Sequence, residues 1–299
     1  MPITLIAGGT GFIGMHLSRH LSAQGHTVRH LSRSARPESP FETFRWDVKG
    51  QTIDDAALAD VDYVVNLAGA GIVDKRWTEA RKQVIINSRT ESTGLLAATF
   101  ARLGKKPTLY LSASAVGYYG DRPGETLRED DAPGTGFLSK SCILWEESVR
   151  EVERLGIPVF IARTGIVLHP DEGALEKMLL SMNVRVSTYF GDGSQVYSWI
   201  HIDDMTDVYR FAIDRQLTGI YNAVAPHPAT NKALAEAIPA AMGKEALVVP
   251  TPAFAMRLAM GEMSHTVLDS ARCSSQKIEG AEFAFKHPDL LPALENLLR

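Results

Sequence analysis

Ile3-Thr4-Leu5-Ile6-Ala7-Gly8-Gly9-Thr10-Gly11-Phe12-Ile13-Gly14 decides the fold. Its first five residues form an apolar run of strand length. From Phe12 the apolar residues Phe12, Ile13, Leu17 and Leu21 recur at helical spacing, so the glycines fill a strand-to-helix turn. Gly8, Gly11 and Gly14 are spaced G-x-x-G-x-x-G. A turn whose backbone touches a pyrophosphate needs one glycine to bend, one without the Cβ that would block the phosphates, and one to let helix pack on strand. The free N–H groups at the helix start then face the anion. Gly8, Thr10, Gly11, Phe12, Ile13 and Gly14 are the candidate contacts of a dinucleotide. A Walker-type loop is disfavoured, because no Gly-Lys-Ser/Thr follows.

Working outward, the helix Phe12 to Gln24 stops at Gly25, and Thr27 to Ser32 reads as the second strand. A site for NAD usually ends this strand in Asp or Glu, which binds the ribose 2′-hydroxyl. Here Ser32-Arg33-Ser34 stands there, with Arg36 just beyond, and a guanidinium grips a 2′-phosphate where a carboxylate would repel it. The expected cofactor is therefore NADP(H). Phe41 to Trp46 is a third strand, and Asp47 at its end either reaches the adenine or begins a turn. Val61 to Leu67 is a fourth, opening into Asn66-Leu67-Ala68-Gly69-Ala70-Gly71, whose small residues leave room for a flat ligand. A long helix, Thr78 to Leu103, and a strand, Leu109 to Ala113, follow; Gly136 to Leu155 is again helical and Val159 to Thr164 a sixth strand. Strands joined by crossovers predict a Rossmann-like, doubly wound parallel sheet in the α/β class, with ligands in the crevice past the strand ends.

The chain has 299 residues and a net charge of −4 with no Lys/Arg cluster, which argues against a nucleic-acid partner and for a small-molecule substrate. No stretch approaches a membrane span, so no membrane partner is expected. Two distant cysteines, Cys142 and Cys273, make neither a disulfide framework nor a thiolate site and fit a reducing cytoplasm. No metal is expected: His16 and His20 share a helix face without a third ligand, and an aspartate following His201 reads as the cap of a helix from Met205 to Ile213.

The sequence resembles the short-chain dehydrogenase/reductase superfamily in its extended, epimerase/dehydratase-like form. The glycine turn is similar to that family's motif, Asn66-Leu67-Ala68-Gly69 to its N-x-A-G stretch, and Ser112-Ala113-Ser114-Ala115-Val116-Gly117-Tyr118-Tyr119-Gly120 to its S-S-x-x-V-Y-G strand end. Asp74-Lys75-Arg76-Trp77, Trp199-Ile200-His201-Ile202-Asp203-Asp204 and a C-terminal segment with Arg257 to Glu262 and Gly280 to Phe285 resemble a narrower NADP-binding "epimerase family". The resemblance spans the chain. It implies cofactor contacts from Ser32, Arg33, Leu67, Ala68, Gly69, Arg89, Ser112 and Ile166.

It also implies a Tyr-x-x-x-Lys helix, with Ser114 steadying the reacting oxygen. The chain departs here. With Lys140 as the lysine, the tyrosine position holds Gly136; aligned on Glu146, the pair becomes Leu138 and Cys142. Tyr118 and Tyr119 are the substitute proton donors, with Lys140 as electrostatic partner. Two functions follow: an NADP(H)-dependent oxidoreductase or epimerase, or an inactive NADPH-binding sensor. Residues 1–168 are expected to form the dinucleotide domain, with 203–225 rejoining it, and 169–299 a substrate lobe with a family-specific C-terminal segment. A monomer or a homodimer is expected, and the resemblance implies that a dimer would form through the helices Thr78 to Leu103 and Gly136 to Leu155.

Overall fold

Thr4, Leu5, Ile6 and Ala7 are fully buried because their strand, β1 (Ile3–Ala7), runs through the middle of a sheet covered on both faces. Such a strand has no solvent side, which is why its sequence is continuously apolar. The computed structural model describes residues 1–34 and 38–299; Arg36 lies outside the described residues.

Beside β1 stand β2 (Thr27–Ser32) and β5 (Tyr63–Asn66), and beyond them β3 (Glu42–Asp47), β4 (Thr52–Ile53), β6 (Leu109–Ala115), β7 (Val159–Thr164) and β8 (Gly219–Ala223). The eight strands lie in the order β8-β7-β6-β5-β1-β2-β3-β4. Every neighbouring pair is parallel except β3 and β4. The chain leaves β1 towards β2 and later returns to β5 on its other side, so the order reverses at β1 and opens a crevice at its carboxyl end. The sheet is the Rossmann-like α/β fold expected from the sequence.

Alternation along β1 divides the core. Ile6 faces α1 (Phe12–Ala23) and α4 (Ile202–Arg215), packing with Leu17, Leu21, Phe160, Met205 and Val208. Leu5 and Ala7 face α2 (Glu79–Leu103) and α3 (Gly136–Arg154), with Leu96, Phe100, Val149 and Val152. Burying each such aliphatic side chain stabilises the fold by about 1.5–3 kcal/mol.

Asp47 begins a turn, one of the two roles expected of it: its Oδ1 accepts the Gly50 N–H at 3.0 Å, and Thr52–Ile53 turn back antiparallel to β3 where a crossover was expected. Helix α4 starts at Ile202 rather than Met205, and its cap is a histidine: His201 Nδ1 accepts the Asp203 N–H at 3.1 Å. Asp204 is turned inward instead, accepting the N–H groups of Lys286 and His287.

Between residues 173 and 197 the chain forms a helix, Gly173–Leu179, and a strand, Val186–Phe190, paired with Leu247–Thr251. Leu175, Leu234, Ile238 and Leu294 build a smaller core there. The C-terminal stretch packs back on the main fold: Arg272–Cys273 pairs with Thr126–Leu127 in a separate two-stranded sheet, and Ile278 and Phe283 join the core on the α1 side.

Candidate cofactor cleft and active site

The opening glycines are not equivalent. Gly8 has a φ of +82°, and a Cβ on it would lie 2.9 Å from the Leu67 carbonyl, so the turn is pressed against the end of β5. A Cβ on Gly14 would lie 2.2 Å from the Gly8 oxygen, and one on Gly9 would fall 2.3 Å from the His30 ring. At Gly11 the added atom would meet only the Gly8 oxygen, at 3.3 Å. The protein's own packing therefore demands three of the four glycines, while at Gly11 a Cβ would be crowded only by that one oxygen. No side chain caps α1, whose N-cap is Gly11. An open cradle over an uncapped helix start fits the diphosphate of a dinucleotide.

Beneath the cradle lies His30, fully buried. Ser18 Oγ donates to the Gly14 oxygen at 2.6 Å and sits 2.7 Å from His30 Nε2, so the ring nitrogen is the donor of that second bond. Burial pushes the His30 pKa down to about 4, which keeps a neutral ring under the turn.

At the ends of β2 and β3 a hollow of about 410 Å³ is lined by Arg33, Ser34, Thr43, Phe44 and Arg45. Among the described residues no carboxylate lines it. Arg33 and Arg45 are exposed, and neither forms an ion pair among the described residues. Ser32 is buried, its Oγ accepting the Ser34 N–H.

On the other side of the cleft, Asn66 fixes the small-residue loop. Its Oδ1 accepts the Ala68 N–H at 3.1 Å, and its Nδ2 reaches Tyr110 Oη at 2.9 Å, Thr93 Oγ1 and Ser92 Oγ. Leu67, Ala68 and Gly69 thereby stand opposite the glycine turn. Arg89 lies behind this loop, with Nη1 donating to the Ala70 and Ile85 carbonyls and its guanidinium 4.9 Å from the Trp145 ring. It is 8% exposed, and burial lowers its pKa. A Cβ on Gly69 would touch that guanidinium at 3.0 Å, so the loop glycine makes room for the arginine. Ser112 is sealed in β6, and Ile166 is held at the switch out of β7, its N–H bonded to the Ser198 carbonyl.

The polar centre of the site is a buried chain of partners. Ser114 Oγ donates to Glu146 Oε1 at 2.7 Å. Arg163 Nε and Nη2 meet Glu146 Oε1 and Oε2, both at 2.9 Å. Arg163 Nη1 donates to Tyr119 Oη at 3.0 Å and to the Glu129 carbonyl, and Tyr119 donates on to Asn222 Oδ1 at 2.8 Å. Burial opposes the charge of Arg163, but Glu146 outweighs it and holds the guanidinium's pKa above its ordinary value. Ser114 thus has its single proton committed to a carboxylate, and its oxygen can offer a ligand only lone pairs.

The substitute donors separate in this arrangement. Tyr119 is fully buried, and burial pushes its phenol pKa well up, so its hydroxyl works inside the network. Tyr118 is half-buried, its ring centroid 3.4 Å from the Arg163 guanidinium carbon. Lys140 is exposed, on the side of α3 opposite the buried face of Ser139, Cys142, Glu146 and Val149, and so stands apart from Ser114. A Cβ on Gly117 would meet Leu138 at 3.4 Å and Cys142 Sγ at 3.9 Å, so Leu138 and Cys142 are the α3 residues facing the turn after Ser114. Burial pushes the Cys142 thiol up to about 12.

Glu146, Arg163 and Asn222 went unassigned in the sequence. The available signal was a charge inside an apolar run, Val159-Phe160-Ile161-Ala162-Arg163, since a charge there must find a partner. The ligating atoms of His201, Asp203 and His287 lie within 4.8 Å of one another. His201 Nδ1 is already used as the α4 cap, and its ring stacks on His287 with centroids 3.8 Å apart.

Comparison with known proteins agrees with this geometry. Residues 4–223 match the NAD dependent epimerase/dehydratase family, and residues 251–297 match a domain of unknown function, DUF1731. The chain is 36% identical over 294 residues to epimerase family protein Mb2239 of Mycobacterium bovis, covering 98% of this chain and 96% of that one. It is 35% identical to epimerase family protein YfhF of Bacillus subtilis, covering 98% and 97%. The crystal structure of human epimerase family protein SDR39U1 (isoform 2) with NADPH superposes with a TM-score of 0.88 at 28% identity, covering 99% of both chains. With cleft, turn and relatives in accord over nearly its whole length, the chain belongs to the NAD dependent epimerase/dehydratase family, among the proteins called epimerase family proteins.

Proposed function

We propose that the protein is an NADP(H)-dependent oxidoreductase or epimerase acting on an unidentified small molecule. The observation that carries the reading is Arg33 over a hollow with no carboxylate among its described lining residues, next to a glycine cradle shaped for a diphosphate. The human relative solved with NADPH supports the phosphorylated cofactor. In this reading Gly8, Thr10, Gly11, Phe12, Ile13 and Gly14 hold the diphosphate, and Ser32 and Arg33 the 2′-phosphate. Leu67, Ala68, Gly69, Arg89, Ser112 and Ile166 line the remainder, and Asp47 stands near the adenine.

Bound NADP(H) would supply or accept a hydride. The chain's part is to orient the reacting group and handle its proton. Ser114, held by Glu146, accepts a hydrogen bond from a ligand O–H or N–H. Tyr118, stacked on Arg163, is the phenol placed to exchange a proton with a ligand. Tyr119 and Lys140 are reassigned: Tyr119 positions Arg163, and Lys140 is solvated surface. The free, buried Cys142 and Cys273 suit a reducing cytoplasm, and we take the protein to be a monomer or a homodimer.

A second reading, binding without turnover, is favoured by the apolar Leu138 and buried Cys142 facing the turn after Ser114 while Lys140 is exposed. Incubation with NADPH and a panel of carbonyl compounds and nucleotide sugars separates the two. Turnover abolished by Tyr118→Phe supports the enzyme; tight binding without turnover on the panel supports the sensor. For the cofactor itself, Arg33→Ala should weaken NADPH roughly ten- to a hundredfold, from charge-assisted bonds of about 1.5–3 kcal/mol, and leave NADH unchanged. Equal loss for both would refute the assignment.

A further inference from the structure

We infer that Arg45 is a second guanidinium on the cofactor's 2′-phosphate and a determinant of selectivity for NADP(H). The inference rests on the cofactor reading above and adds to it a residue on a different strand. Arg45 stands directly opposite Ser32 in the parallel register of β2 and β3, so its backbone lies beside the strand end from which Arg33 springs. On β3, Trp46 is buried against the α2 side of the sheet, which by strand alternation turns Thr43 and Arg45 to the other face. Both arginines line the same hollow.

Charge completes the argument. A phosphate monoester carries about −1.5 to −2 charges at neutral pH and three strong acceptor oxygens. One fork-shaped guanidinium neutralises only part of that and saturates two oxygens. Arg45 has no ion-pair partner among the described residues, although Glu42 on the same strand is engaged by Arg29. A cation with no counter-ion among the described residues, facing a hollow that already holds one guanidinium, repels its neighbour until an anion enters. NADH, with a plain 2′-hydroxyl, gives Arg45 no comparable partner.

The test is calorimetric binding of NADPH and NADH to the full chain and to Arg45→Ala, Arg45→Lys, Arg33→Ala and Lys49→Ala. Lys49 sits on the neighbouring turn and removes the same charge away from the hollow. Arg45→Ala should weaken NADPH roughly five- to tenfold, a loss scaled down for an exposed charge, with NADH within about twofold. Arg45→Lys should recover part of the loss, since it keeps the charge without the fork. If Arg45→Ala loses no more than Lys49→Ala, or loses NADPH and NADH alike, the inference is overturned while an intact Arg33→Ala effect leaves the cofactor reading standing. If the unaltered chain binds NADH as tightly as NADPH, the cofactor reading falls, and this inference with it.

Discussion

Arg163 and Glu146 meet through two parallel bonds, Nε to Oε1 and Nη2 to Oε2, each 2.9 Å, with Arg163 only 1% exposed. The pair joins β7 to α3 across the end of the sheet, and every other polar group at the centre leans on it.

Breaking a buried ion pair from one side leaves an uncompensated charge. Glu146→Ala should therefore cost about 3–5 kcal/mol of stability in urea titration. A double variant, Glu146→Met with Arg163→Met, should be less destabilised than either arginine or glutamate single, since nothing charged is stranded. Additive losses would contradict a closed pair.

The unequal roles of the glycines give a clean separation. Gly14→Ala drives a Cβ into the Gly8 backbone and should unfold or strongly destabilise the protein. Gly11→Ala meets only one oxygen, at 3.3 Å, at a φ of −86° that alanine adopts freely. It should melt within a few degrees of the unaltered protein yet bind NADPH at least about tenfold more weakly, because its methyl enters the diphosphate's space. Unchanged binding would place the cofactor elsewhere.

Tyr119 and Lys140 should part company under mutation. Tyr119→Phe strands an Asn222 oxygen and an Arg163 N–H and should cost about 1–3 kcal/mol. Lys140→Ala, on an exposed helix face, should stay within about 0.5 kcal/mol. Any loss of turnover in Tyr119→Phe should track its melting temperature, whereas Tyr118→Phe should lose turnover without losing stability.

His30 makes stability depend on pH. Its folded pKa of about 4 lies below the unfolded value near 6.5, so the unfolded chain binds the proton first as pH falls. The contribution is complete above about pH 6.5 and is lost down to about pH 4, a change on the order of 3 kcal/mol. His30→Gln should flatten the stability profile across that window. A profile equally steep in the variant would assign the titration to another group, His201 being the other buried histidine with a pKa pushed down to about 4.

What the sequence made legible follows from the range of the interactions. β1, the glycine turn and α1 are set by neighbours in the chain, and so was the direction of every strand reached by a crossover. The β3–β4 hairpin was missed because two paired residues leave no periodicity. The α4 cap was misassigned because His201, Asp203 and Asp204 crowd the helix start, and only packing turns Asp204 inward.

The centre of the site was less legible for a different reason. Ser114, Tyr118 and Arg33 sit within motifs. Glu146 and Arg163 are each ordinary alone, and their meaning is their pairing across α3 and β7. Without a phenol to anchor the helix, the sequence offered two registers for α3, and only packing brings Leu138 against Gly117.

The C-terminal stretch has a consequence for how the gene can be cut. Glu262 forms an ion pair with Lys82 on α2, the Gly261 backbone lies against Arg76, Cys273 extends Leu127 as a strand partner, and Phe283 enters the main core. Residues 251–297 therefore act as a clasp over the dinucleotide fold rather than as a detachable module. A recombinant fragment ending near residue 250 would be born with an open seam, and chimaeras between relatives should exchange this tail together with Arg76 and the first turn of α2 that carries Lys82.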